Sequence, residues 1–125
     1  MHKTKIRTIE DGYDELFKDL FKTYGDNKLD LSYSDRDYTI EFTSVEEKEQ
    51  FWKQLALFSI PQDVIDIIEL RYGLHDGCAR TLAELGRSLN ITDEWVRNKV
   101  RTAHRKLRHR LNVSRAIDRY QMQRG

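Results

Sequence analysis

Within the twelve residues from Thr81 to Thr92 the chain marks a helix start, a close approach, a tight turn and a second helix start. Thr81 and Glu84 stand three apart, the spacing of a capping box in which hydroxyl and carboxylate close orphan amides at a helix N-terminus. Gly86 presents no side chain where a second helix crosses the first, and Asn90 tolerates the left-handed backbone of a tight turn. Thr92 supplies a second N-cap. From Val96 onward, Val100, Ala103, Leu107 and Leu111 recur at helical steps, while Arg97, Arg101, Arg105 and Arg108 take the opposite face. A short helix over 82–89, a turn and a longer arginine-bearing helix predict a helix-turn-helix. Such a unit lays its second helix in a major groove, with residues near the helix start at base edges. The same pattern also fits a surface helix with a solvated basic face.

The motif residues run further. Leu70-Arg71-Tyr72-Gly73-Leu74, Asp76-Gly77, Thr81-Leu82, Glu84-Leu85-Gly86, Leu89, Ile91-Thr92, Glu94, Val96-Arg97, Ala103 and Lys106-Leu107-Arg108 follow one another in order. In this order and spacing, residues of about 57–109 resemble region four of bacterial sigma factors, the module that reads the upstream promoter element. The resemblance implies that Arg71, Thr81 and the amide of Leu82 meet phosphate, and that Glu94, Arg97 and the start of the second helix meet bases. A helix N-terminus presents free amides and a positive dipole end to an anion, which agrees for Thr81 and Leu82. The chain departs from the family at Asp93 and Trp95, where arginines are usual, at Asn98, where glutamine is common, and at Lys99-Val100. Asp93 can accept from cytosine N4 or stabilise the helix start through its dipole. Trp95 has three readings: packing on a thymine methyl or a sugar, meeting a protein partner, or lying half-buried against the preceding helix. The candidate DNA-contacting residues are therefore Arg71, Thr81, Leu82, Thr92, Asp93, Glu94, Trp95, Arg97, Asn98, Arg101 and Arg105.

The net charge of +1 conceals a division. Residues 97–125 hold ten Lys or Arg against Asp118 alone, which leaves 22 − 10 = 12 basic and 21 − 1 = 20 acidic residues elsewhere, a balance of −8. Blocks of opposite sign point to a basic surface for a polyanion and an acidic portion with another task. No apolar run approaches the roughly 18 residues of a membrane span, and no signal-peptide pattern is present, so a soluble cytoplasmic protein is expected. Cys78 is the single cysteine. With His75 it offers two ligands, too few for a zinc site, and neither a metal nor a cofactor is expected.

The residues before 59 read as a separate unit. Ile9, Tyr13, Leu16, Phe17, Leu20, Phe21 and Tyr24 recur at three and four residue steps, predicting one amphipathic helix that Gly25 ends. Leu29, Leu31 and Tyr33, then Tyr38, Ile40 and Phe42, alternate with polar residues around a Ser34-Asp35-Arg36-Asp37 turn, predicting a hairpin. Ser44 with Glu47 opens a helix presenting Phe51, Trp52, Leu55 and Phe58. Pro61 suits the first turn of the next helix, which runs to Tyr72 with Gly73 as its cap. Beyond Asn112, either Ser114 caps a further helix with Ile117 and Tyr120 on one side and Arg115, Arg119 and Arg124 exposed, or the recognition helix simply continues. The expected fold is mainly α: an acidic α+β helix–hairpin–helix domain (1–58), then an all-α sigma-region-four-like helix-turn-helix domain with a basic C-terminal tail (59–125), the two packing together.

Catalysis is not expected. No Gly-x-Ser-x-Gly elbow or glycine-rich phosphate loop is present, and capping or solvation accounts for the acid pairs Asp35/Asp37 and Glu46/Glu47. Residues 10–49 contain thirteen acids and five Lys or Arg. Such a surface repels DNA, which argues against a complete sigma factor that melts promoters. The expected function is a DNA-binding transcription regulator of phage or mobile-element type, acting as a monomer on double-stranded DNA. The resemblance implies a contact with bacterial RNA polymerase, its flap held on the apolar surface of helices 61–72 and 82–89. The alternative is a protein-binding sigma-domain mimic that inhibits polymerase and reads little DNA.

Overall fold

The computed structural model describes residues 5–24, 28–31, 38–57 and 60–124. Strand β1 (Lys5–Ile6) leads into helix α1 (Ile9–Leu20). Strands β2 (Lys22–Tyr24), β3 (Lys28–Leu31) and β4 (Tyr38–Glu41) then form an antiparallel sheet in the order β2-β3-β4. Helices α2 (Val45–Ala56) and α3 (Gln62–Tyr72) follow, then strand β5 (Cys78–Ala79) and helices α4 (Leu82–Leu89), α5 (Asp93–Leu107) and α6 (Arg110–Arg124). The protein is mainly helical with a small strand hairpin, as expected. The Ser34–Asp37 turn, Tyr33, Gly25 and Phe58 lie outside the described residues.

The hairpin pairs Leu29 with Ile40, both buried, while the flanking Lys28, Thr39 and Glu41 are exposed, the alternation of a half-buried sheet. Two differences from expectation concern α1. The helix stops at Leu20, not Tyr24, because Phe21 turns extended and Lys22–Tyr24 pair with Lys28–Asp30. Phe21 stays in the core either way, so apolar spacing could not place the boundary. At its start, Thr8 and Asp11 form a reciprocal capping box that the sequence reading missed. Gly12 brings α1 onto the end of α3: a Cβ there would collide with the Tyr72 carbonyl oxygen. In α2, Ser44 accepts from the Glu47 amide, but the Glu47 carboxylate turns to the Thr43 amide and hydroxyl, leaving the expected box half made.

Lys48 has a side chain only 1% exposed, held by Glu10 at 3.0 Å and Asp14 at 2.6 Å. Two acids on α1 and one base on α2 fix the pairing of these helices. Phe17, Phe42 and Phe51 meet at ring separations of 5.6 Å.

The C-terminal part corrects both alternatives for the tail. The recognition helix ends at Leu107, with Arg108 as cap, and α6 begins at Arg110, so Ser114 is interior to α6 and not its cap. α6 folds back on α2: Ala116, Ile117 and Tyr120 are buried, and the Tyr120 hydroxyl donates to Glu47 at 3.2 Å. One apolar cluster therefore runs from Tyr13 through Phe51 and Val64 to Leu107 and Tyr120, joining residues on both sides of position 58.

Candidate nucleic-acid interface

The helix-turn-helix is built as its punctuation predicted. The Thr81 hydroxyl accepts from the Glu84 amide at 3.1 Å while Glu84 accepts from the Thr81 amide at 2.9 Å. The Leu85 amide bonds the Thr81 carbonyl. Helix geometry then leaves the amides of Leu82 and Ala83 without intrahelical acceptors, and the Thr81 hydroxyl still has a proton to donate. Ala83 thus presents a second amide beside that of Leu82 at this helix start.

Asn90 adopts the left-handed conformation (φ 57°, ψ 45°), and the Thr92 hydroxyl accepts from the Trp95 amide at 3.1 Å. Gly86 is buried where the turn enters the next helix: a Cβ there would lie 2.8 Å from the Ile91 carbonyl oxygen and 2.9 Å from Oδ1 of Asp93, the first residue of α5. The Asp93 carboxylate is thus drawn back over α4. Ile67, Leu85, Val96 and Val100 form the small core beneath.

On the outer side, Glu94, Arg97, Asn98, Arg101 and Arg105 are exposed. Arg97, Arg101, Leu82 and Arg71 line one groove together with His104, Arg108 and Asp19 of α1. Arg71 also borders Thr81 in an adjoining hollow with Arg80 and Arg7. The structure therefore brings Arg71, Thr81, Leu82, Arg97 and Arg101 to one side. Trp95 and Asn98 instead border a second groove, with Pro61 and Val64 at the start of α3, and Arg105 is exposed outside both grooves.

Arg80 and Arg7 escaped the sequence reading, and both serve the loop that presents Thr81. Arg80 donates to the carbonyls of Leu70 and Cys78 and to Asp76, while Arg71 donates to the Arg80 carbonyl at 3.0 Å. The Arg80 hydrogen bond, with a second from the Cys78 amide, lowers the pKa of Asp76. Strand β1 pairs antiparallel with β5, and the Arg7 amide donates to the Gly77 carbonyl at 2.7 Å. Arg7 also pairs with Glu15 and reaches the Tyr72 carbonyl. A two-residue strand has no periodicity to reveal it in advance.

Where the acidic unit meets the recognition helix, the Tyr72 hydroxyl donates to Asp19 at 2.7 Å and lies 3.1 Å from His104 Nε2. With its only proton given to Asp19, Tyr72 accepts from His104, which must then carry its hydrogen on Nε2. Burial lowers the pKa of His104 and raises that of Tyr72. Among the described residues, no group of three His, Cys, Asp or Glu side chains is placed to hold a metal ion, and no helix is long and apolar enough to cross a membrane.

Comparison with known proteins falls on this part of the chain. Residues 56–109 match the family described as Sigma-70, region 4. The RNA polymerase sigma factor SigA of Clostridium acetobutylicum is 44% identical over 62 residues, 50% of this chain and 16% of that protein. SigA of a Nostoc species is 50% identical over 44 residues, covering 35% of this chain and 11% of the relative. A probable sigma-C factor of Synechocystis is 43% identical over 56 residues, 45% of this chain and 14% of its own. The chain thus spans less than a fifth of the length of these relatives. No solved structure gives a significant match. Residues 56–109 are a sigma-70 region 4-like helix-turn-helix domain.

Proposed function

We propose that this protein is a DNA-binding transcription regulator that places α5 in the major groove and works alongside bacterial RNA polymerase. The observation that carries the reading is the single groove shared by Arg71, Leu82, Arg97 and Arg101, beside the capped N-terminus of α4. Phosphate contacts from Arg71, Thr81 and the amides of Leu82 and Ala83 set the register of the duplex. Glu94, Arg97 and Asn98, on the first two turns of α5, read base edges, and Arg101 and Arg105 follow the backbone further along. Thr92 acts through its cap, and Asp93 through the helix start it stabilises.

The acidic N-terminal unit argues against melting of promoter DNA, and the reading is a regulator of the phage or mobile-element kind that acts in the bacterial cytoplasm as a monomer. The polymerase contact follows from the sigma factors it resembles. Val64, Ile68 and Tyr72 of α3 are buried in the cluster shared with α1 and α2, so a flap contact uses what α4 leaves exposed, Leu89 in particular.

Selection of bound sequences from a random DNA pool, followed by footprinting with and without polymerase, tests this. On the selected site Arg97→Ala loses roughly 1–3 kcal/mol of discrimination against a one-base substitution. Arg101→Ala weakens all sequences alike and flattens the salt dependence by about one phosphate contact. Unchanged binding by both variants removes α5 as the reading element. Polymerase capture by a chain that selects no DNA favours the sigma-domain mimic instead.

A further inference from the structure

Trp95 stands in the first turn of α5 and is 44% exposed, a large apolar surface to leave in water. Its ring is not loose. Lys99 Nζ lies 4.4 Å from the ring centroid, and the same nitrogen is 3.2 Å from Asp63 Oδ2 on α3. The ammonium is thereby held over one face of the indole by a carboxylate from another helix, a cation–π contact with a fixed anchor. Pro61 borders the same groove as Trp95 and Asn98. At helical spacing, Glu94, Asn98 and Arg105 form the outermost stripe of α5, with Arg97 on one shoulder and Trp95 on the other.

We propose that Trp95 is a specificity-determining residue that selects thymine by packing on its C5-methyl group. The inference rests on the DNA-reading role argued above and adds a base to it. The major-groove edge of a thymine carries a methyl group that an apolar side chain recognises by contact, without a hydrogen bond. A ring clamped on one face keeps its free edge in place, so little conformational freedom is lost on binding. Trp95 thus converts a recognition-helix position that could serve an arginine into an apolar one, and shifts the preferred base from a hydrogen-bond acceptor to a methyl.

The test uses the full chain and duplexes carrying the site recovered from the random pool, with each thymine replaced in turn by deoxyuridine, which removes only the methyl. One position is expected to weaken wild-type binding about fourfold, the transfer worth of one buried methyl, and to leave Trp95→Ala indifferent. Lys99→Met, which unclamps the ring, should lower that ratio while preserving the response to substitutions opposite Arg97. Iodide quenching gives an independent reading. Trp52 is 1% exposed, so the quencher reports Trp95, and site DNA should shield it. Sequence-selective binding with no Trp95-dependent methyl penalty, or with quenching unaffected by DNA, overturns the assignment and leaves the DNA-reading role standing. A wild-type chain that selects no sequence overturns both.

Discussion

Ile67, Leu85, Val96 and Val100 form the cluster that holds the helix-turn-helix together, whereas Phe17, Phe42, Phe51, Trp52 and Tyr120 lie in the cluster that joins α1, α2, the sheet and α6. The first is small and aliphatic, the second large and aromatic. A few aliphatic side chains leave helix angles under-determined. Hence the helix-turn-helix takes its geometry from backbone devices: the reciprocal Thr81–Glu84 cap, the left-handed Asn90, the bare Cα of Gly86 and the Thr92 cap. The aromatic cluster has its caps at the edges, at Thr8 and Ser44, while at its centre interlocking rings resist displacement in every direction. Helices α3 and α5 contribute to both. Ile67, Val96 and Val100 face the small core, while Val64, Ile68, Ala103 and Leu107 face the large one. The recognition helix is thus oriented at one end by a turn and at the other by the N-terminal unit.

Phe51→Ala presses hardest on this comparison. The ring is fully buried and lies 5.6 Å from those of Phe17, Phe42 and Tyr120, so truncation should cost about 3–5 kcal/mol. Because α3 and α5 belong to both clusters, a single melting transition should shift as a whole, with DNA affinity at low temperature little changed. Two separate transitions, the helix-turn-helix keeping its own midpoint, would show the clusters to be independent.

Gly86→Val presses on the other side. A branched side chain meets the Ile91 carbonyl, which is backbone and cannot swing away, at a cost on the order of 1–3 kcal/mol. Here the effect on DNA binding should exceed that of Phe51→Ala, since the strain falls at the entry to α5. A variant with wild-type melting and affinity would mean that the turn has more freedom than the small core implies.

The mildest effect comes at the junction of the two parts. Burial, opposed by Asp19 and reinforced by Arg108 and Arg71, holds the folded pKa of His104 below its usual 6.5. As pH falls through 6.5, the unfolded chain therefore takes up the proton first. The contribution of His104 to stability is full above that pH and drains below it until the folded pKa is passed. Denaturant titrations at pH 7.5 and 5.5 should show a smaller loss for His104→Gln than for the wild type. Equal losses would place the acid sensitivity elsewhere.

Much of the helix-turn-helix was readable in the chain because its information is local. A capping box, a left-handed Asn and an aliphatic stripe act over three or four residues, so Thr81, Glu84, Asn90, Thr92 and Val96–Leu107 carry their geometry in their spacing. The pairing of Lys28–Leu31 with Tyr38–Glu41 was legible for the same reason, through alternation. Tertiary structure alone decided what depends on distant partners. Helix α1 gives way to a strand after Leu20 because β3 offers hydrogen bonds, although the apolar spacing would have continued the helix to Tyr24. Lys48 is buried because Glu10 and Asp14, more than thirty residues away, converge on it. α6 folds back because the aromatic cluster has room for Tyr120, and β1 becomes a strand only because β5 lies beside it. Local periodicity records which face of an element is apolar; which surface receives that face is a property of the assembled chain.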